Sequence, residues 1–160
     1  MIEAFPTWKI FTELAKKSLG IISQRLEHTV LDKYYFALTL IHKNNGSITQ
    51  QKLAEMLNTD KVTIVRVIDH FSKKGLVKRS TNKEDRREHL LFLTTKALKI
   101  IPEIEDTFVQ LEKEFFKGID SKKQKEFLEC LNIIEKNISD IPTNKINLTL
   151  KVQTPKTLKK

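Results

Sequence analysis

The sequence predicts a mainly α-helical protein that carries one small β-hairpin, and three observations support this fold class. Apolar residues recur at helical spacing over most of the chain. Two short strand-like stretches, LVKRS and HLLFL, flank a charged segment and therefore resemble a hairpin with a polar tip. The 160 residues include four glycines, and the sequence shows no glycine-rich phosphate loop that would indicate a nucleotide-binding α/β fold.

Two helices are predicted in the first 45 residues. Phe5-Pro6-Thr7 can open the first, because proline is tolerated in a first helical turn. Its apolar stripe extends over about five turns and consists of Trp8, Phe11, Ala15, Leu19, Ile22 and Leu26. The second helix should run from Asp32 to Lys43 and end at the NNG that follows. Its apolar residues should face mostly inward: Tyr35, Phe36, Leu38, Leu40 and Ile41.

The middle of the chain predicts a helix-turn-helix followed by a hairpin. Ser47-Ile48 should be extended, and Thr49 should cap a short helix over QQKLAEMLN. Thr59 or Asp60 should cap a second helix over residues 61–74, with Gly75 at its end. The strands LVKRS and HLLFL then enclose the charged segment 82–88. Two helices joined by a few residues are typical of a helix-turn-helix, whose second helix enters the DNA major groove.

The last third of the chain predicts two more helices and a basic tail. Thr94 starts a helix in which Pro102 should cause a kink or an irregular beginning. Its apolar face is formed by Ile101, Ile104, Phe108, Leu111 and Phe115. The final helix has a heptad seam, formed by Phe127, Leu131, Ile134, Ile138 and Ile141. The tail 143–160 contains no acidic residue and fits a small strand or a mobile basic arm equally well.

Charge and composition restrict the class of function. The net charge is +9, and residues 46–95 contain ten basic and six acidic residues. Such a local excess favours a polyanionic partner, although a merely soluble basic protein fits the charge equally well. No apolar run approaches the ~20 residues of a membrane helix. No secretory signal is visible, and Cys130 is the single cysteine, so we expect a cytoplasmic protein without membrane contact.

The second helix of the helix-turn-helix can be divided into two faces. Its inward residues should be Val62, Val65, Ile68 and Phe71. The candidate DNA-binding residues lie on the other face or at the helix start, and they are Thr59, Lys61, Thr63, Arg66 and His70. Arginine and lysine suit guanine edges, and threonine suits a phosphate or a thymine methyl group. An ordinary amphipathic surface helix explains the same pattern equally well.

The tip of the hairpin adds further candidates. Its cationic residues are Lys83, Arg86 and Arg87, and acidic residues including Asp85 alternate with them. An arginine on a protruding ribbon can enter the minor groove, where the negative potential is enhanced. A neighbouring carboxylate can orient its guanidinium through a bidentate pair. The alternating apolar residues Leu91 and Leu93 should anchor this ribbon on the core.

The segments GSITQQKLAEMLNTDKVTIVRVIDHFSKKGLVKRS and DRREHLLFLT resemble the MarR family of transcription regulators. The second segment fits the wing signature of that family at Asp85, Arg87, Leu91, Leu93 and Thr94. The resemblance covers residues 5–140 in element order and is motif-specific over residues 46–95. The family usually has a small apolar residue, serine or glycine near the start of the recognition helix, whereas this chain has Asp60 and Lys61.

This resemblance implies a winged helix-turn-helix with N- and C-terminal dimerisation helices. Residues 1–45 and 96–142 would form the helical dimerisation region, residues 46–95 the DNA-binding domain, and residues 143–160 a basic tail. The expected function is that of a homodimeric repressor that binds a near-palindromic double-stranded operator. A small aromatic or phenolic effector could bind in a cleft lined by residues that are equally good core residues: Trp8, Phe11, Tyr34, Tyr35 and His42.

Other functions have less support from the residues. The alternative is a winged-helix interaction module whose basic face binds an acidic partner protein. No catalytic motif is recognisable, so we do not expect an enzyme. No cofactor-binding residue is identifiable, and the four histidines lack paired ligand spacing, so we expect neither a cofactor nor a metal. Cys130 is expected to be a small buried core thiol rather than a redox sensor.

Overall fold

The computed structural model describes residues 6–29, 34–82 and 85–142. Within these residues the chain forms seven helices and one two-stranded antiparallel sheet, as the fold class predicted from the sequence requires. The elements are α1 (Thr7–Arg25), α2 (Tyr35–Lys43), α3 (Gln50–Met56), α4 (Lys61–Lys73), β1 (Val77–Thr81), β2 (His89–Leu93), α5 (Thr95–Leu98), α6 (Ile101–Phe115) and α7 (Ser121–Ser139). The predicted start of the second helix at Asp32 and the tail beyond Pro142 lie outside the described residues.

Side-chain caps fix the two helices of the helix-turn-helix. Thr49 Oγ1 accepts the Lys52 N–H at 3.1 Å and begins α3. Asn58 has a φ of 45° and turns the chain between α3 and α4. Asp60, one of the two predicted caps, accepts the Thr63 N–H through Oδ1 at 2.7 Å and begins α4. These local hydrogen bonds explain why both helices begin where the sequence predicts.

The hairpin is joined to the start of the helix-turn-helix. β1 pairs with β2 in a register that places Val77 opposite Leu93 and Thr81 opposite His89. The Leu91 N–H donates to the Ile48 carbonyl at 3.0 Å, so the predicted extended residues 47–48 run alongside β2. Gly46 has a φ of +79°, and a Cβ atom there would collide with the Phe92 ring. The hairpin is therefore held at its base by the segment that precedes α3.

One apolar core lies beneath these elements. Phe71 of α4, Leu76, Leu91 of β2 and Leu53 of α3 are fully buried. Leu38 and Ile41 of α2 and Ile104 of α6 continue the same cluster. The strand alternation predicted for HLLFL is present, because Leu91 and Leu93 are buried while Leu90 and Phe92 are partly exposed. The wing is thus rooted in the core by alternate residues of β2.

The region around Pro102 confirms the predicted irregularity. Thr94 caps the short helix α5, because its Oγ1 accepts the Ala97 N–H at 3.3 Å. A break at Lys99 and Ile100 then separates α5 from α6. Pro102 occupies the first turn of α6, where its missing N–H costs no intrahelical hydrogen bond.

Several residues that were predicted to be buried are exposed in the single chain. Trp8 is 68% exposed, whereas Ile22 and Leu26 at the other end of the same stripe are buried. Phe36 is also exposed, although its neighbours in α2 are buried. Cys130 is exposed, so the prediction of a buried core thiol is wrong. Trp8 and Cys130 are exposed because the described chain leaves the N-terminal half of α1 and α7 uncovered. Phe36 is different, because its ring stacks on Phe108 of α6 with ring centroids 4.8 Å apart.

Candidate nucleic-acid interface

The outward face of α4 is defined by the residues that oppose its buried side. Ile64, Val67, Ile68 and Phe71 are buried. The positions directly opposite, at spacings of four, three and four residues, are Val62, Arg66, Asp69 and Lys73. Val62 is 60% exposed, which makes the prediction that it packs inward wrong. The outward face therefore presents one apolar, one acidic and two basic side chains.

The predicted DNA-binding residues of α4 fall into two groups. Lys61 and Arg66 are exposed at the start and on the outward face of the helix. Thr63 Oγ1 donates to Asp60 Oδ2 at 2.7 Å, so this hydroxyl belongs to the helix cap. Thr59 is only 9% exposed. The structure thus brings Lys61 and Arg66 to the accessible surface, whereas Thr59 lies in the turn before α4 and Thr63 in the first turn of the helix.

His70 lies at the side of α4 rather than at the centre of its outward face. Its ring is partly buried and forms an edge contact with Tyr34, with ring centroids 6.4 Å apart. The Tyr34 ring also contacts Phe71 of the core at 6.3 Å. His70 is therefore part of an aromatic group that connects α4 to the start of α2.

An arginine of β1 fastens the hairpin to the outward face of α4. Arg79 Nη2 donates to Asp69 Oδ1 at 2.6 Å. With its amide oxygen turned towards the guanidinium, Gln50 of α3 accepts from Arg79 Nη2 at 2.9 Å and from Nε at 3.0 Å. One guanidinium thus joins three elements, and it offsets the negative charge that Asp69 places next to Arg66. This contact was not predicted from the sequence.

The tip of the wing is exposed and carries two arginines between two acidic residues. Asp85, Arg86 and Arg87 are all exposed, and Asp85 Oδ1 accepts the Arg87 N–H at 2.9 Å. This contact involves the main-chain N–H of Arg87, so Asp85 shapes the backbone of the tip. The base of the tip is closed by the Asn82 N–H, which donates to the Glu88 carbonyl at 2.9 Å. The predicted site residue Lys83 lies outside the described residues.

A second exposed surface is apolar and lies away from the wing. α7 has no buried residue, and the side chains of its heptad seam remain largely accessible. The N-terminal half of α1 is similarly exposed, whereas its C-terminal end is fastened to α6. Arg25 Nη2 donates to both carboxylate oxygens of Glu114, at 2.9 and 2.7 Å. His28 Nε2 lies 2.6 Å from Glu103 Oε1.

The residues predicted for an effector cleft do not share one environment. Trp8 is exposed on α1, Tyr35 is buried in the core, and Tyr34 contacts the rings of His70 and Phe71. An open depression along α1 is lined by other residues of that helix: Lys9, Ile10, Glu13, Leu14, Lys16 and Lys17. Among the described residues, no group of three histidines, cysteines or carboxylates converges as a metal site would require. No described helix has both the length and the apolar character needed to cross a membrane.

Comparison with known proteins agrees with this architecture. The MarR family model matches residues 34–89. A MarR transcriptional regulator from Methanosarcina mazei Go1 superposes with a TM-score of 0.76 at 26% identity, over 85% of this chain and 98% of that one. A SlyA-like transcription regulator from Listeria monocytogenes gives a TM-score of 0.78 at 25% identity, over 87% of this chain and 91% of that one.

A third solved structure is a MarR family transcriptional regulator from Listeria monocytogenes complexed with 26mer DNA. It is 27% identical, with a TM-score of 0.77, over 83% of this chain and 89% of that one. The two capped helices and the rooted hairpin form a winged helix-turn-helix, and the solved structures that resemble it are transcription regulators. Together they define the class of DNA-binding transcription regulators. The MarR family model covers residues 34–89 of this chain, so the resemblance predicted from the sequence is confirmed over these residues.

Proposed function

We propose that the protein is a cytoplasmic repressor that binds a near-palindromic double-stranded operator as a homodimer. The observation that carries this proposal is that four cationic side chains are exposed, Lys61 and Arg66 on α4 and Arg86 and Arg87 on the wing. α4 would enter the major groove and the wing the flanking minor groove. The DNA complex of the relative from Listeria monocytogenes supports the choice of duplex DNA as the partner.

The other predicted site residues would position the DNA-contacting side chains or lie at the edge of the contact. Thr59 and Thr63 would hold the start of α4 near the phosphate backbone, and His70 would mark the edge of the contact. Asp85 would set the direction in which the wing arginines project, because its carboxylate accepts the Arg87 N–H. Lys83, which precedes these residues in the sequence, is proposed to contribute to the same DNA contact. Direct base contacts would come from Arg66 and Lys61, whose side chains are exposed.

The homodimer is proposed from the apolar surfaces of α1 and α7. The exposed isoleucines of α7 would form a large apolar patch on the surface of a monomer. Such patches mark interaction sites. Within the dimerisation region, residues 1–45 and 96–142, the first and last helices would intertwine with those of a second chain. A two-fold axis would then relate the two copies of α4. Two half-sites about 10 bp apart would then be contacted together.

Release from the operator is proposed to depend on a small aromatic or phenolic effector. Binding between the dimer helices and the winged domain would change the distance between the two copies of α4. A changed distance would break the simultaneous fit to two half-sites. An effector that leaves dimer geometry and operator affinity unchanged would contradict this part of the proposal.

The test begins with selection of bound fragments from randomised duplex DNA, followed by affinity measurements at several salt concentrations. Arg86→Ala and Arg87→Ala should each weaken binding to all sequences, because a wing arginine that contacts a phosphate contributes independently of the base. Each should lower the slope of log affinity against log salt concentration by about one unit. Lys122→Ala on α7 removes one positive charge from a highly exposed position and should leave the slope unchanged.

Two outcomes would contradict the proposed function. Slopes that are equal in the parent and the wing variants would remove the wing from the DNA contact. Absence of a salt-sensitive shift with every selected duplex would overturn DNA binding altogether. That second outcome would favour the alternative in which the basic face binds an acidic partner protein, which pull-down at low salt would then detect.

A further inference from the structure

Val62 occupies an unusual place for an aliphatic side chain. It lies one turn before Arg66, at the middle of the outward face of α4, and it is 60% exposed. The side chains that fill the core from this helix are Ile64, Val67, Ile68 and Phe71, so packing of the chain does not require Val62. Valine is also a weaker helix former than alanine or lysine, so its presence here does not serve the helix itself.

The surroundings of Val62 identify the kind of partner that can cover it. Lys61, Arg66 and Lys73 lie on or beside the same face and carry positive charge. The charge of Asp69, the acidic residue on this face, is offset by Arg79 at 2.6 Å. An apolar side chain inside a cationic surface fits a polyanion that also offers an apolar group, and duplex DNA is such a partner.

We propose that Val62 is a specificity-determining residue that recognises the C5 methyl group of a thymine in the major groove. This inference rests on the proposed function. An isopropyl group has no donor or acceptor, so it cannot read the polar edge of a base. The thymine methyl is the apolar group that base-pair edges present in the major groove, and a cytosine in its place lacks it.

The helix spacing also predicts where this thymine lies. Side chains one helical turn apart have Cβ atoms roughly 5–6 Å apart. Successive base pairs are about 3.4 Å apart along the duplex. Val62 and Arg66 would therefore contact base pairs that are one or two steps apart. Each half-site should contain a thymine within two positions of the guanine that Arg66 contacts.

Replacement of thymidine by deoxyuridine removes the C5 methyl group and tests this contact without changing base pairing. Each thymine of the selected operator is replaced in turn, and affinity is measured with the full-length protein. For the parent protein, one position in each half-site should lose about fourfold in affinity, the factor expected when one methyl group loses its apolar partner. The thymine-to-uracil ratio at that position is then measured for variants of residue 62.

The variants form a graded series. Val62→Ser removes both methyl groups and should bring the thymine-to-uracil ratio at that position to about one. Val62→Thr keeps one methyl group and should give an intermediate ratio of about two. Val109→Ala on α6 alters another exposed valine and should keep the ratio of the parent. Circular dichroism should show equal helix content in all variants, since both valines are exposed.

The outcomes separate this inference from the proposed function. Selective duplex binding without any uracil-sensitive position would overturn the role of Val62 and leave DNA recognition intact. A thymine-to-uracil affinity ratio that Val62→Ser leaves unchanged would also overturn the role of Val62 and leave DNA recognition intact. Failure to bind any duplex selectively would overturn both proposals together.

Discussion

The winged unit formed by residues 46–95 and the helices α1 and α7 differ in where their apolar side chains go. In the winged unit Leu53, Ile68, Leu76 and Leu91 are fully buried within one chain. α7 is as long as α1 and more regularly patterned, yet it has no buried residue. The first region therefore completes its core within one chain, together with residues of α2 and α6, whereas the second presents apolar surface that one chain does not cover.

This difference predicts that the stability of one region is independent of protein concentration and that the stability of the other depends on it. The winged unit should be stable at any protein concentration, because its contacts are intramolecular. The stability of α7 should depend on protein concentration if a second chain covers its seam, because association then contributes to folding. Matched substitutions in the two regions can distinguish these cases.

The largest expected effect comes from a matched pair of isoleucines. Ile68→Ala, at a fully buried position of α4, should lower the free energy of unfolding by about 2–5 kcal/mol at every protein concentration. Ile138→Ala, at a 58% exposed position of α7, should have its main effect on dimer association. Thermal unfolding at several protein concentrations and sedimentation equilibrium measure the two effects. A concentration-independent loss for Ile138→Ala would contradict the proposed dimer seam.

Local sequence signals predicted the winged unit well. The caps at Thr49 and Asp60 and the glycine after α4 act within a few residues, and the charged segment between two apolar runs is typical of a hairpin. These features depend on the backbone near them, so a sequence pattern contains most of the information needed. The predicted exposure of Lys61, Arg66, Arg86 and Arg87 was confirmed for the same reason.

The missed features depend on contacts between distant elements. Six of the thirteen residues of α4 are apolar, and from the sequence Val62 and Val65 are as suitable for the core as Ile64 and Val67. Packing against the rest of the chain decides the rotation of the helix, and it places Val62 outside. The Arg79–Asp69 contact joins β1 to α4 through two residues that are ten positions apart in the sequence. Helical periodicity contains no information about such a contact.

A smaller effect is expected for Arg66, at the surface of the winged unit that is proposed to contact DNA. Arg66→Ala should leave the fold unchanged, because the side chain is exposed. It should relax base preference at one operator position by about 1–3 kcal/mol, the value of a good bidentate contact with guanine. Affinity measurements on operators that carry each base at each position test this expectation. A uniform loss across all sequences would show that Arg66 contacts only the phosphate backbone.

The smallest expected effect concerns the contact that fixes the wing on α4. A double-mutant cycle of Arg79→Gln and Asp69→Asn should give a coupling energy of about 0.2–1 kcal/mol in unfolding, because both side chains are partly exposed. Operator binding should respond differently to the two single variants. Arg79→Gln leaves the Asp69 carboxylate uncompensated beside Arg66 and should weaken binding, whereas Asp69→Asn removes that charge and should weaken it less. Lys16→Gln in the exposed α1 pair with Glu13 serves as the control for loss of one cation. Equal losses for both single variants would show that the contact positions the wing and that its charge balance has no separate effect on DNA binding.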